Sequence, residues 1–124
     1  MRQVQIRIVL FVAVVAAVLL MPQHGFALTC PEPQENATAG VLKETSEDIE
    51  KLSLQLQGGA AGNEVNEIIF NLKKKYPGAT SAEVVNYMIT AYCPVLAVNK
   101  DLTEEQVRAR LDEFAKQVRK IYAN

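Results

Sequence analysis

The chain has 124 residues, with 13 lysines and arginines against 14 aspartates and glutamates and a single histidine, for a formal net charge of −1. That length allows one domain. The near-neutral balance gives no electrostatic reason to seek nucleic acid or an anionic membrane surface.

Residues 1–27 have the three-part layout of a secretory signal. Arg2 and Arg7 supply a positive start, Ile8 to Met21 is an unbroken apolar run, and Pro22 then ends any helix. Gly25-Phe26-Ala27 follows, with small residues at the two positions that a signal peptidase inspects. The apolar run is 14 residues long, short of the roughly 20 that a bilayer span requires. The reading is a cleaved signal, and membrane association arises only through this segment if it is retained. A lipid anchor at Cys30 fits poorly, because Thr29 is an unsuitable residue before a modified cysteine. Cleavage after Ala27 leaves 97 residues, and losing Arg2 and Arg7 leaves 11 basic against 14 acidic groups, or −3.

Export places Cys30 and Cys93 in an oxidising compartment. Two cysteines permit one intramolecular pairing, and a separation of 63 positions does not resemble a Cys-x-x-Cys redox couple. The expectation is a structural Cys30–Cys93 disulfide.

In the mature part, residues 28–38 read as an extended arm because of Pro31 and Pro33, and residues 39–124 as a helical domain. A helical pattern runs from about Gly40 to Gln57, with Leu42, Thr45, Ile49, Leu52 and Leu56 on one side and Lys43, Glu47, Asp48, Glu50 and Lys51 on the other. Asn36, Thr38 and Thr45 are alternative caps, and residues 58–62 (Gly-Gly-Ala-Ala-Gly) form a stop and linker. Asn63 is expected to cap the next helix, whose apolar face is Val65, Ile68, Ile69, Leu72 and Tyr76. Lys73, Lys74 and Lys75 occupy its last turn, and Pro77-Gly78 ends it.

Thr80-Ser81-Ala82-Glu83 is a capping box. The helix behind it carries Val84, Val85, Tyr87, Met88, Ile89, Ala91 and Tyr92 and is apolar on most sides, which suits the middle of a bundle. The same residues are compatible with a strand. Pro94 is expected to end or kink this helix. Thr103-Glu104-Glu105-Gln106 is a second capping box, and Val107, Leu111, Phe114, Val118 and Ile121 then make a narrow seam. Glu104–Arg108 and Asp112–Lys116 are favourable pairs at four-residue spacing. The fold class is all-α, a small bundle of about four helices closed by one disulfide.

The function classes are narrowed by what is missing. His24, the one histidine, lies in the segment expected to be removed. The mature chain then cannot build Ser–His or Cys–His nucleophilic pairs, histidine metal sites or covalent haem attachment. The glycines at 58, 59 and 62 follow a helix and lack the Lys-Ser/Thr of a phosphate loop. Glu47, Asp48 and Glu50 sit on a polar helix face, where carboxylate catalysis lacks the desolvation it requires. The expectation is a non-enzymatic protein with no cofactor and no metal. Lys73, Lys74, Lys75, Tyr87 and Tyr92 are the candidate partner surface, although lysines suit a helix C-terminus in any case. Tyr76, Tyr87, Tyr92 and Tyr122 could line a ligand groove, but amphipathic aromatics at helical spacing are usually core-edge residues. The seam from Val107 to Ile121 leaves monomer and homodimer open.

Lys75-Tyr76-Pro77-Gly78-Ala79-Thr80-Ser81, Val85-Asn86-Tyr87, Ala91-Tyr92-Cys93-Pro94-Val95 and the stretch from Glu104 to Asp112 resemble short exported proteins of proteobacteria, particularly of rhizobial type, of unassigned function. The resemblance covers roughly residues 63–122 and implies a periplasmic or secreted location without implying an activity. A looser likeness to periplasmic acid-stress chaperones rests on size and helical class. The leading expectation is a binding module of the cell envelope, taking an unknown protein or a small apolar ligand. The alternatives are an acid-stress chaperone, loosened when protonation of 14 acids leaves about +11, and a small carboxylate-based hydrolase.

Overall fold

The computed structural model describes residues 28–33, 42–43, 45–58 and 62–124. The signal segment, the second half of the arm, the candidate caps Asn36 and Thr38 and the centre of the glycine linker lie outside the described residues. Among the described residues four helices follow in order: α1 (Ser46–Leu56), α2 (Gly62–Lys75), α3 (Ser81–Ala97) and α4 (Glu104–Ala123). Among the described residues there is no strand. The all-α bundle with one disulfide is therefore the observed fold.

α1 starts later than its apolar spacing suggests. Thr45 has extended backbone angles (φ −97°, ψ 152°), and its hydroxyl accepts the Asp48 amide at 3.1 Å. The cap therefore sets the first turn at Ser46. Leu42 lies before that turn yet is only 4% exposed, so it reaches the core from outside any helix. Ile49, Leu52 and Leu56 complete the buried face. On the opposite side Lys51 donates to Glu47 at 2.7 Å. That hydrogen bond, and then the Glu47 charge, hold the Lys51 pKa above 10.5. A raised lysine pKa adds stability below its unfolded value and loses it as pH climbs through the folded one. Both side chains are mostly in water, where such pairs contribute little. Glu47→Gln is expected to leave the melting temperature at neutral pH unchanged within error, by calorimetry.

α2 begins at Gly62, so Asn63 lies in its first turn and is not its cap. Val65, Ile69 and Leu72 are buried, while Ile68 and Tyr76 are half-buried. The turn after it closes through the Ala79 amide donating to the Tyr76 carbonyl at 3.0 Å.

α3 is the hub, packing against both α1 and α4. Val84, Val85, Tyr87, Met88, Ala91, Cys93 and Leu96 are buried along it, as an all-round apolar helix requires. Its one buried polar side chain, Thr90, donates to the Asn86 carbonyl at 2.7 Å and so leaves no unmet hydrogen bond. Pro94 does not end the helix, which continues to Ala97. Proline costs the bond its amide would make to the carbonyl of residue 90. One turn from the helix end that loss is local, and the helix closes beyond it with the Val98 amide donating to the Pro94 carbonyl at 3.3 Å.

Both capping boxes are formed. The Thr80 hydroxyl accepts the Glu83 amide and the Glu83 carboxylate accepts the Thr80 amide, and Thr103 and Gln106 make the same exchange. Thr80→Ala and Thr103→Ala are each expected to cost about 1 kcal/mol in urea unfolding. α4 buries Val107, Phe114, Ala115 and Val118, with Leu111 and Ile121 half-buried at the seam edges. Arg108 donates to Glu104 at 2.6 Å as its spacing suggests. Lys116 lies 3.8 Å from Glu113, three residues away, and not beside Asp112.

The disulfide joins Cys30 to Cys93 with a Cα–Cα distance of 5.6 Å. It fixes the leading segment, which has no helix or strand over residues 28–33, to the buried side of α3.

Candidate functional site

α2 packs chiefly on α4 and presents a long outer face. Phe70 stands on that face with 67% of its surface exposed. Leu54 and Val98 are also exposed large hydrophobics among the described residues. Phe70 differs in being aromatic, and full burial of such a side chain is worth roughly 1.5–3 kcal/mol.

Two open grooves flank α2. On one side Asn66, Ile69, Phe70, Lys73 and Lys74 of α2 meet Ile121 and Asn124 around a space of about 670 Å³. Ile69 forms a buried floor, and the lysines form a basic rim. On the other side Gln55 of α1 meets Glu64, Glu67, Ile68 and Asn71 around about 230 Å³. Glu64 and Glu67 are both exposed, so neither has the desolvated setting in which a carboxyl becomes a general acid. Among the described residues no three His, Cys, Asp or Glu side chains come together as metal ligands. No helix among them is long and apolar enough to cross a membrane.

The residues expected from sequence as a partner surface are separated by the fold. Lys73, Lys74 and Lys75 are exposed at the end of α2. Lys73 is also used internally: its ammonium donates to the Tyr122 carbonyl at 2.9 Å and sits 4.9 Å above the Tyr122 ring. It thus serves the carbonyl end of α4, where the helix dipole favours a cation. The Tyr122 hydroxyl in turn donates to the Ala79 carbonyl, which ties the end of α4 to the turn before α3. Lys75 lies 5.2 Å from the Tyr76 ring centroid. Tyr87 is buried in the core, and Tyr92 is half-buried with its ring 4.5 Å from that of Phe114 at 44°. Neither tyrosine lines the groove.

Phe70 itself was not part of the surface expected from sequence. Its signal is nonetheless there: at 3.6 residues per turn it falls among Asn63, Asn66, Glu67, Lys73 and Lys74, off the stripe of Val65, Ile69 and Leu72. A phenylalanine centred on a polar face is the anomaly to look for.

The class defined by fold and site is a small, disulfide-closed helical bundle with an exposed phenylalanine between charged residues. Compared with known proteins, the chain matches no family model, no curated protein and no solved structure.

Proposed function

We propose that this protein is exported to the periplasm or beyond and acts there as a non-enzymatic binding module, engaging a protein partner through the Phe70 face of α2. The observation that carries this reading is the exposure of Phe70 between Lys73, Lys74 and Glu67. Aromatic anchors ringed by polar residues are the usual energetic centres of protein interfaces. A small apolar ligand is the weaker alternative, because such ligands occupy enclosing cavities and Phe70 protrudes. Export is supported by the signal-like first 27 residues and by a disulfide in a domain of this size.

Two measurements test the reading. Mass spectrometry of the protein recovered from cells is expected to give a chain starting at Leu28 that gains the mass of two hydrogens on reduction. A full-length mass with free thiols would refute export. A photo-crosslinking amino acid at Asn66 is expected to give an interchain adduct in the native envelope. The same probe at Glu113, on the exposed side of α4, is expected to give none. Adducts that are equal at both positions, or unaffected by Phe70→Ala, would refute the assignment of the surface.

A further inference from the structure

We infer that the protein seated on this face is a second copy of the chain, its α2 packed antiparallel against the first. This rests on the reading of the Phe70 face as the binding surface. Successive residues turn about 100° around a helix. With Phe70 facing outward, Glu67 and Lys74 lie about 40–60° to one side, and Asn66 and Lys73 about the same to the other. All five side chains are exposed. The charge is also segregated along the axis, with Glu64 and Glu67 before Phe70 and Lys73 to Lys75 after it.

A two-fold axis through Phe70 and across α2 reverses direction along the helix and preserves its sides. Phe70 then meets its own copy. Glu67, about 4.5 Å before Phe70, comes opposite the partner's Lys74, about 6 Å beyond it, and the contact occurs twice. Asn66 comes opposite the partner's Lys73, also twice. The Lys73 ammonium has three donors, so its bond to the Tyr122 carbonyl leaves two for the incoming amide oxygen. The face is therefore self-complementary, as a two-fold interface must be. Parallel pairing instead sets Lys73 against the partner's Lys74 and Glu67 against the partner's Asn66, which leaves like charges in contact and no ion pair. The sign pattern selects the antiparallel arrangement. One helix pair makes a small interface, so the dimer belongs to the weak class that forms at high local concentration.

The test uses charge reversal with the protein expressed from its full-length gene and purified from the compartment where it accumulates. Sedimentation equilibrium up to the millimolar range is expected to show a reversible dimer. Phe70→Ala weakens it by about 30-fold or more, as loss of a central aromatic does. Glu67→Lys sets the introduced ammonium against the partner's Lys74, twice across the axis. Lys74→Glu likewise sets the introduced carboxylate against the partner's Glu67. Each is expected to weaken self-association about tenfold or more. Mixing these two variants makes one contact attractive between opposite charges of swapped origin and leaves the other as in the wild type, so a heterodimer tighter than either homodimer is expected. The double variant Glu67→Lys/Lys74→Glu is expected to recover homodimerisation. Both substitutions are at exposed positions, so unchanged circular dichroism separates loss of pairing from loss of fold. A wild-type chain that stays monomeric throughout, or a double variant that fails to reassociate, overturns the inference. If the Asn66 crosslink then joins a different protein and depends on Phe70, the binding-module reading stands and the second copy is refuted. An Asn66 crosslink within the same chain refutes both.

Discussion

Breaking the Cys30–Cys93 bond is expected to lower the folding free energy by about 4 kcal/mol. The crosslink joins residues 63 positions apart, and in the chain-entropy model loops of 15 and 100 residues correspond to about 3 and 4.7 kcal/mol. Domains of this size have about 5–15 kcal/mol of net stability, so the bond decides whether the fold has a safe margin. Cys30→Ala is the cleaner variant, since Cys93 is 1% exposed and its replacement also disturbs the core around α3. At roughly 4–8 °C per kcal/mol for a domain of this size, the melting temperature should drop by about 15–30 °C. The same fall is expected for the wild-type protein in reductant and none for Cys30→Ala on reduction, measured by thermal unfolding. A variant within a few degrees of wild type would mean that the leading segment contributes nothing through its tether.

The second large effect separates two phenylalanines. Phe114 is 3% exposed, packs on the Tyr92 ring, and holds α4 against the hub helix. Phe114→Ala is expected to cost about 3–5 kcal/mol, the sum of lost transfer energy and the cavity left behind. Phe70→Ala removes the same side chain from a site that is two-thirds exposed, and should change stability by less than about 0.5 kcal/mol. Urea unfolding of both variants in one buffer measures the contrast. If Phe70→Ala destabilised the monomer by more than about 2 kcal/mol, Phe70 would be serving the fold and the proposed binding surface would lose its anchor.

How much was legible in the chain depended on the range of the interaction concerned. The capping boxes at Thr80 and Thr103 need a hydroxyl and an acceptor three residues on, so both helix starts followed from local spacing. The seam of α4 and the apolar wrapping of α3 were equally plain, because helical period and burial match. Pairing of Cys30 with Cys93 followed from there being two cysteines. Asn63 marks where local rules were insufficient: it has the right chemistry for a cap but sits inside α2. Pro94 does not itself end α3, which runs three residues further to Ala97.

The surface was less legible. Sequence placed Lys73, Tyr87 and Tyr92 together as partner-facing groups, and packing gave each a different neighbour. Lys73 is taken up by the end of α4, a contact across 49 positions, Tyr87 turns into the core, and Tyr92 leans on Phe114. Ser53 shows the same range, its hydroxyl reaching the Ala91 carbonyl at 2.7 Å across 38 positions. By itself the sequence determined the starts of α3 and α4, the apolar seam of α4 and the covalent bond that closes the fold, since these depend on groups a few residues apart or on a pairing with one solution. Only the tertiary structure decided which aromatic stays in water and which lysine is engaged, because exposure is what remains after distant helices have covered everything else.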